Sequence, residues 1–172
     1  WTLNGVALCA AAGDRYSAAG VSDDAGGAIV AWEDYRSGIN DIYVQRISAA
    51  GTAQWTANGV ALCTGNGNQY APQIVSDGSG GAIATWYDSR SGTNYDIYAQ
   101  HVLASGAVDG AWPADGQALS TAAGEQSFPA ILGALKSLGI AMVNSFSWPF
   151  SIPSICSENP GTGIGISLCT CV

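Results

Sequence analysis

Trp32, Asp34, Arg36 and Asp41 fall on one short stretch of chain, and Trp86, Asp88, Arg90 and Asp96 repeat the set. Each set gathers an aromatic ring, two carboxylates and a guanidinium around one tight turn. Two chemistries suit such a set. A Trp face can stack on a pyranose while the carboxylate and guanidinium take its hydroxyls. Alternatively the Asp–Arg pair braces the hairpin, an interaction of about 0–1 kcal/mol when exposed and more when bidentate. Bracing is the expectation, because a motif that recurs in every copy of a repeat serves the scaffold before it serves a ligand. Burial is likewise the ordinary fate of a strand Trp.

Catalysis finds less support. Glycoside hydrolysis needs two carboxyl groups about 5–9.5 Å apart. Glu33 and Asp34 are adjacent on an extended segment and so face opposite ways, which leaves only pairs formed between copies. No Gly-x-Ser-x-Gly elbow occurs. His101 is the one histidine, stands where the first copy has Arg46, and reads as a packed or edge side chain rather than a proton shuttle. Asp23-Asp24 in a glycine-rich turn hints at calcium, but the second copy keeps only Asp77 beside Gly78, and a calcium cage takes about 6–8 oxygens. Cys169-x-Cys171 lacks the four-ligand spacing of a structural zinc site. No cofactor is expected.

The elements that would position these residues form a repeat. Val21–Gln45 recurs as Val75–Gln100, and residues 1–51 align with 55–106 at an offset of 54 until Tyr95 is inserted. A third copy opens at Trp112, and its agreement ends after Leu132. The copies run over about 1–54, 55–111 and 112–132. Residues 133–172 are a diverged third copy or an atypical, frame-altered end, in which Cys156 with Cys169 or Cys171 offers a tail disulfide.

Turn chemistry at Asp24–Gly27, Arg36–Asn40 and from Ala50 onward predicts four short strands per unit. In the first unit these are Tyr16–Ser22, Ala28–Asp34, Ile42–Ser48 and Val60–Cys63. Ala28–Trp32 is apolar on both faces, as a sheet sandwiched between like sheets requires. The predicted fold is all-β, in β-propeller blades of four antiparallel strands: two clear blades and a partial third.

The pattern VSDxxGGAIxxWxDxRSG followed by DIYxQ resembles the blade repeats of bacterial secreted β-propellers of the sialidase and BNR-repeat group. Ser22-Asp23-x-x-Gly26 and Ser76-Asp77-x-x-Gly80 are similar to the Asp-box of that group, at a different spacing and between the first two strands. The resemblance covers about residues 1–131 and implies blade architecture. Sialidase activity does not follow, because Arg15, Arg36, Arg46 and Arg90 come singly at repeat-separated positions.

In a blade the approach to the first strand and the second hairpin open on the same face. The candidate ligand face therefore carries Asp14, Arg15, Tyr16, Glu33, Asp34 and Arg36 from the first copy, and Tyr70, Tyr87, Asp88 and Arg90 from the second. The frame repeats while its charge changes, as a ligand site requires. The expected function is a non-catalytic scaffold or carbohydrate-binding module; the runner-up is a glycosidase- or esterase-type hydrolase with its site at the propeller mouth or between chains.

Charge narrows the partners. Thirteen acidic against five basic residues, net −8, with no basic cluster, argues against nucleic acid. No apolar run reaches the roughly 18 residues of a membrane span. Low lysine and acidic balance suit a secreted or cell-surface protein. Two or three blades do not close a ring of ~4–8, so a homo-oligomer, dimer or trimer, is expected to complete it, with Val6–Cys9 as a strand added to a neighbour.

Overall fold

A computed structural model describes residues 1–133. Its eight strands are β1 (Arg15–Ser22), β2 (Ala28–Asp34), β3 (Asp41–Ile47), β4 (Val60–Cys63), β5 (Gln69–Ser76), β6 (Ala82–Asp88), β7 (Asp96–Val102) and β8 (Gln117–Ser120). They form two four-stranded antiparallel sheets, ordered β1-β2-β3-β4 and β5-β6-β7-β8, and no helix occurs among the described residues. The strands of the first sheet lie within a residue of the ranges the turn signals predict. Each sheet takes its fourth strand from the opening of the next sequence copy, so the structural unit is out of phase with the aligned repeat.

The Ser-Asp-x-x-Gly-Gly motif is turn chemistry. Asp23 Oδ1 accepts the amides of Ala25 at 2.9 Å and Gly27 at 2.7 Å, closing the β1–β2 connection on itself. A β-carbon at Gly27 would sit 2.1 Å from the Ile47 carbonyl oxygen, so only glycine admits β3 there. Asp77 and Gly81 repeat both features, with amide bonds from Ser79 at 2.6 Å and Gly81 at 3.0 Å. The free oxygen, Asp23 Oδ2, takes Arg46 Nε at 3.0 Å, so a guanidinium stands beside the turn that hinted at calcium.

The second sheet lies across the first: β5 covers β1, β2 and part of β3, and β4 reaches β7. Between them sit Ile29, Ala31, Ile42, Val44, Leu62 and Trp86, all at most 2% exposed. The isoleucine, valine and leucine side chains among them contribute about 1.5–3 kcal/mol each on full burial. The alternation on β2 fails because both faces are covered: Ala31, Trp32, Glu33 and Asp34 are buried in succession.

Residues 1–10 form no strand but occupy a seat against the first sheet that residues 55–64 occupy against the second. Trp1 Nε1 donates to Ala49 O at 2.7 Å, as Trp55 Nε1 donates to Ala104 O at 3.1 Å. Ala10 N donates to Asn58 Oδ1 at 2.9 Å, as Thr64 N donates to Asp115 Oδ1 at 2.9 Å.

Candidate functional site

Residues of the predicted face pair across neighbouring strands, and three of them, Glu33, Asp34 and Asp88, are enclosed. On β1 and β2, Arg15 pairs with Asp34 and Tyr16 with Glu33; on β5 and β6, Tyr70 pairs with Tyr87. Tyr35 N donates to Asp14 O at 3.0 Å, which ties the approach to β1 to the β2–β3 hairpin. Asp14 and Tyr16 stand exposed at the rim, with Tyr16 Oη donating to Asp14 Oδ2 at 3.1 Å. That bond is the main reason the Tyr16 hydroxyl holds its proton more tightly than an ordinary phenol.

Asp34 is fully enclosed. Trp32 Nε1 donates to it at 2.8 Å, Arg36 Nε and Nη2 grip both oxygens at 2.8 and 2.5 Å, the Arg36 amide adds 3.1 Å, and Arg15 Nε reaches it at 3.2 Å. Burial pushes this carboxyl up, but the Arg36 and Trp32 hydrogen bonds win and hold it well below the usual carboxylate range. Arg36 lies over the Tyr43 ring, 3.9 Å from its centroid, and Nη2 also donates to Asn58 O at 2.8 Å. Cys9 Sγ completes the group, 3.1 Å from Arg15 Nη2 and 3.3 Å from Arg36 Nη2.

The second sheet rebuilds this with fewer donors. Asp88, also enclosed, takes Trp86 Nε1 at 2.9 Å, the Arg90 amide at 2.9 Å and Arg90 Nη2 at 2.6 Å. Arg90 Nε has no partner, and Gln69 replaces Arg15. Arg90 covers Tyr98 at 3.8 Å and reaches Cys63 Sγ at 3.1 Å. Burial pushes the Cys63 thiol up to about 12.

Trp32 and Trp86, 3% and 0% exposed, cannot offer a face to a sugar, because each indole lies in the packed interior with its N–H bonded to an aspartate. Burial, the ordinary fate of a strand Trp, is what both rings show, and the stacking alternative finds no open face on them. Glu33, 5% exposed, does turn away from Asp34: its Oε1 accepts the Ala71 amide of the second sheet at 2.9 Å. His101 is clamped, Nε2 at 3.0 Å from Asp77 and Nδ1 at 2.9 Å from Asp109, in the seat where Arg46 holds Asp23. Burial opposes, but the His101 bond and the turn amides outweigh it and lower Asp77. Among the described residues no three His, Cys, Asp or Glu side chains are grouped to hold a metal.

The structure adds side chains that motif reading passed over. Tyr95 and Phe128 join Tyr70 and Tyr87 in one aromatic cluster, and Tyr35 stands 45% exposed nearby on the same end. The available signal was the insertion of Tyr95, the residue that breaks the period. Cys156, Cys169 and Cys171, and the tail disulfide, lie outside the described residues. Comparison of the chain with protein-family models, with curated proteins and with solved structures finds no match.

Proposed function

We propose that the chain is a non-catalytic recognition module made of propeller-type blades, with its binding surface at the end carrying the β2–β3 and β6–β7 hairpins. One observation carries this reading. The carboxylates with the right chemistry, Glu33, Asp34 and Asp88, are enclosed and already bonded to amides, indoles or guanidinium groups, whereas Tyr16 and Tyr35 stand exposed beside them and Tyr70, Tyr87 and Tyr95 are half-buried. An acid–base pair needs groups that reach a substrate; a binding face needs rigid aromatic surface on a stiff frame. The test pairs a glycan array with aryl-glycoside and aryl-ester assays on the purified protein. Binding without turnover is the expected result. Turnover that is lost in Glu33→Ala would overturn the reading in favour of a hydrolase.

A second copy of the chain is the proposed partner. Val6–Cys9 sits where a fourth strand belongs, and the three strands that would pair with it are not among the described residues. β1 is exposed along much of its length, whereas its counterpart β5 is covered by the first sheet. A neighbour's last repeat, adding its sheet to Val6–Cys9, would cover that face and continue the stack toward a closed ring. Light scattering tests this: a dispersed 17.4 kDa monomer with intact folding would refute it. Secretion or surface display is the setting that the acidic, lysine-poor surface supports.

A further inference from the structure

Tyr95 has no counterpart in the first hairpin, and its ring closes a cluster that the first sheet lacks. It meets Tyr87 edge-on at 5.1 Å and Tyr70 at 5.9 Å, while Tyr70 and Tyr87 stack at 5.5 Å. Phe128 adds a fourth ring, 5.6 Å from Tyr87 and 79% exposed.

Phe128 occupies a telling position. Ser17, Ala71 and Phe128 are repeat-equivalent, and all three have left-handed backbone, φ 51°, 48° and 55°. In the first two the turn is a bulge in a strand, next to the register breaks at Tyr16/Ala19 and Tyr70/Gln73. Between the two sheets the bulge amide of Ala71 bonds to Glu33. One unit later Tyr87 stands in place of Glu33 and Phe128 in place of Ala71, so an enclosed hydrogen bond gives way to an open aromatic contact.

Beside these rings lies an open cleft of about 340 Å³, lined by Ser89, Gly92, Thr93, Asn94, Tyr95 and Glu125. Its walls are tied together. Asn94 Nδ2 donates to Gly124 O at 2.6 Å and to Asp96 Oδ1 at 3.0 Å, and Glu125 Oε2 accepts the Tyr95 amide at 3.1 Å. A cleft held open in advance loses little freedom on binding. An aromatic ring among hydroxyl, amide and carboxylate groups fits a pyranose, which presents C–H faces for stacking and hydroxyls for hydrogen bonds. The lining carries no cation, and the chain is net −8, so uronates and sulfated or sialylated glycans are repelled.

We infer that this cleft, with Tyr95 as its stacking ring and Phe128 exposed outside its lining, is a binding subsite for a neutral oligosaccharide. The inference rests on the recognition reading above and gives it a place and a ligand class. The test titrates the full chain with cellohexaose, maltohexaose, xylohexaose, mannohexaose, polygalacturonate and decaproline, read by calorimetry and by tyrosine ring signals in NMR. At least one neutral hexasaccharide should bind, polygalacturonate should not, and Tyr95→Ala should weaken binding about tenfold. Deleting Tyr95, which restores the first hairpin's length, should do the same, and exposed Phe128→Ala serves if either variant misfolds. Three outcomes overturn the subsite: binding of decaproline alone, binding of none of the neutral sugars, or sugar binding that all the variants leave intact. None of these touches the broader reading, which fails only on turnover.

Discussion

If Asp34 and Asp88 are braces, removing them should cost stability and leave recognition alone, and the structure sets the order of the two costs. Asp34→Asn keeps the shape but removes the charge facing two guanidinium groups. The lost contacts are a bidentate pair at 2.8 and 2.5 Å and a second arginine at 3.2 Å, around a carboxylate with no exposure. Removing one partner of a buried pair costs about 3–5 kcal/mol. Both arginine side chains keep 23% exposure, which allows partial rehydration and places the loss near the lower figure, about 3 kcal/mol. Asp88 has one arginine and one guanidinium contact, so Asp88→Asn should cost less, about 2 kcal/mol. Against a typical total of about 5–15 kcal/mol both losses are visible in urea unfolding followed by Trp fluorescence. Bracing is refuted if Asp34→Asn unfolds within about 0.5 kcal/mol of the parent, or if ligand binding falls while stability does not.

Further expectations follow from single contacts. Gly59 has φ +90° and a β-carbon there would lie 2.6 Å from the Trp32 ring, so Gly59→Ala should cost about 2–4 kcal/mol in unfolding free energy, and Gly116→Ala against Trp86 should behave alike. Asp34, Asp77 and Asp109 have lowered folded values, so their contribution is present above the ordinary carboxylate range near pH 4 and is lost as pH falls below it. Asp41, raised by burial, acts in the opposite sense: its contribution is lost as pH rises through its folded value, which softens the slope of a pH–Tm series without reversing it. Cys63, with its thiol at about 12 and 1% exposure, should resist iodoacetamide at pH 8 until the chain unfolds, as peptide mass mapping would show.

The strands were legible because punctuation and period agree. Asp23-x-x-Gly26-Gly27 fixes a turn, Ala28–Trp32 shows two covered faces, and the second copy repeats both. The linkage among Trp32, Asp34, Arg36 and Cys9 was half legible: acid and base adjoin in sequence, but the thiol lies 27 residues from Arg36, and only stacking brings it there. The aromatic cluster was half legible: Tyr70 and Tyr87 fall on the candidate face, but Tyr95 and Phe128 come from a hairpin and the third copy, which no motif joins to them. A one-residue insertion states that the chain departs from its frame without stating where the ring goes.

The contacts of residues 1–10 show what the stacking unit is. Trp55, Asn58 and Cys63 belong by pairing to the first sheet or its approach, yet Trp55 bonds to the Ala104 loop and Cys63 lies against Arg90, both in the second. Asn58 meanwhile holds Ala10 from the segment before the first sheet. The fourth strand of the first sheet thus braces the second at its Asp–Arg pair through Cys63, adding to the bonds that the second sheet's own Trp86 makes there. Stability in such an array is the sum of units and nearest-neighbour seams. A seam needs the fourth strand of one unit and the hairpin of the next, and Trp1–Cys9 supplies the first half of a seam with Asp34 and Arg36 as the second. Deleting Trp1–Cys9 should therefore lower stability even before any effect on assembly, but by less than Asp34→Asn does, because the bonds from Arg15, Trp32 and Arg36 to Asp34 remain. Equal unfolding free energies for the parent and the truncated chain would show that the seam contributes nothing and that the Asp34 cage is sustained by Arg15, Arg36 and Trp32.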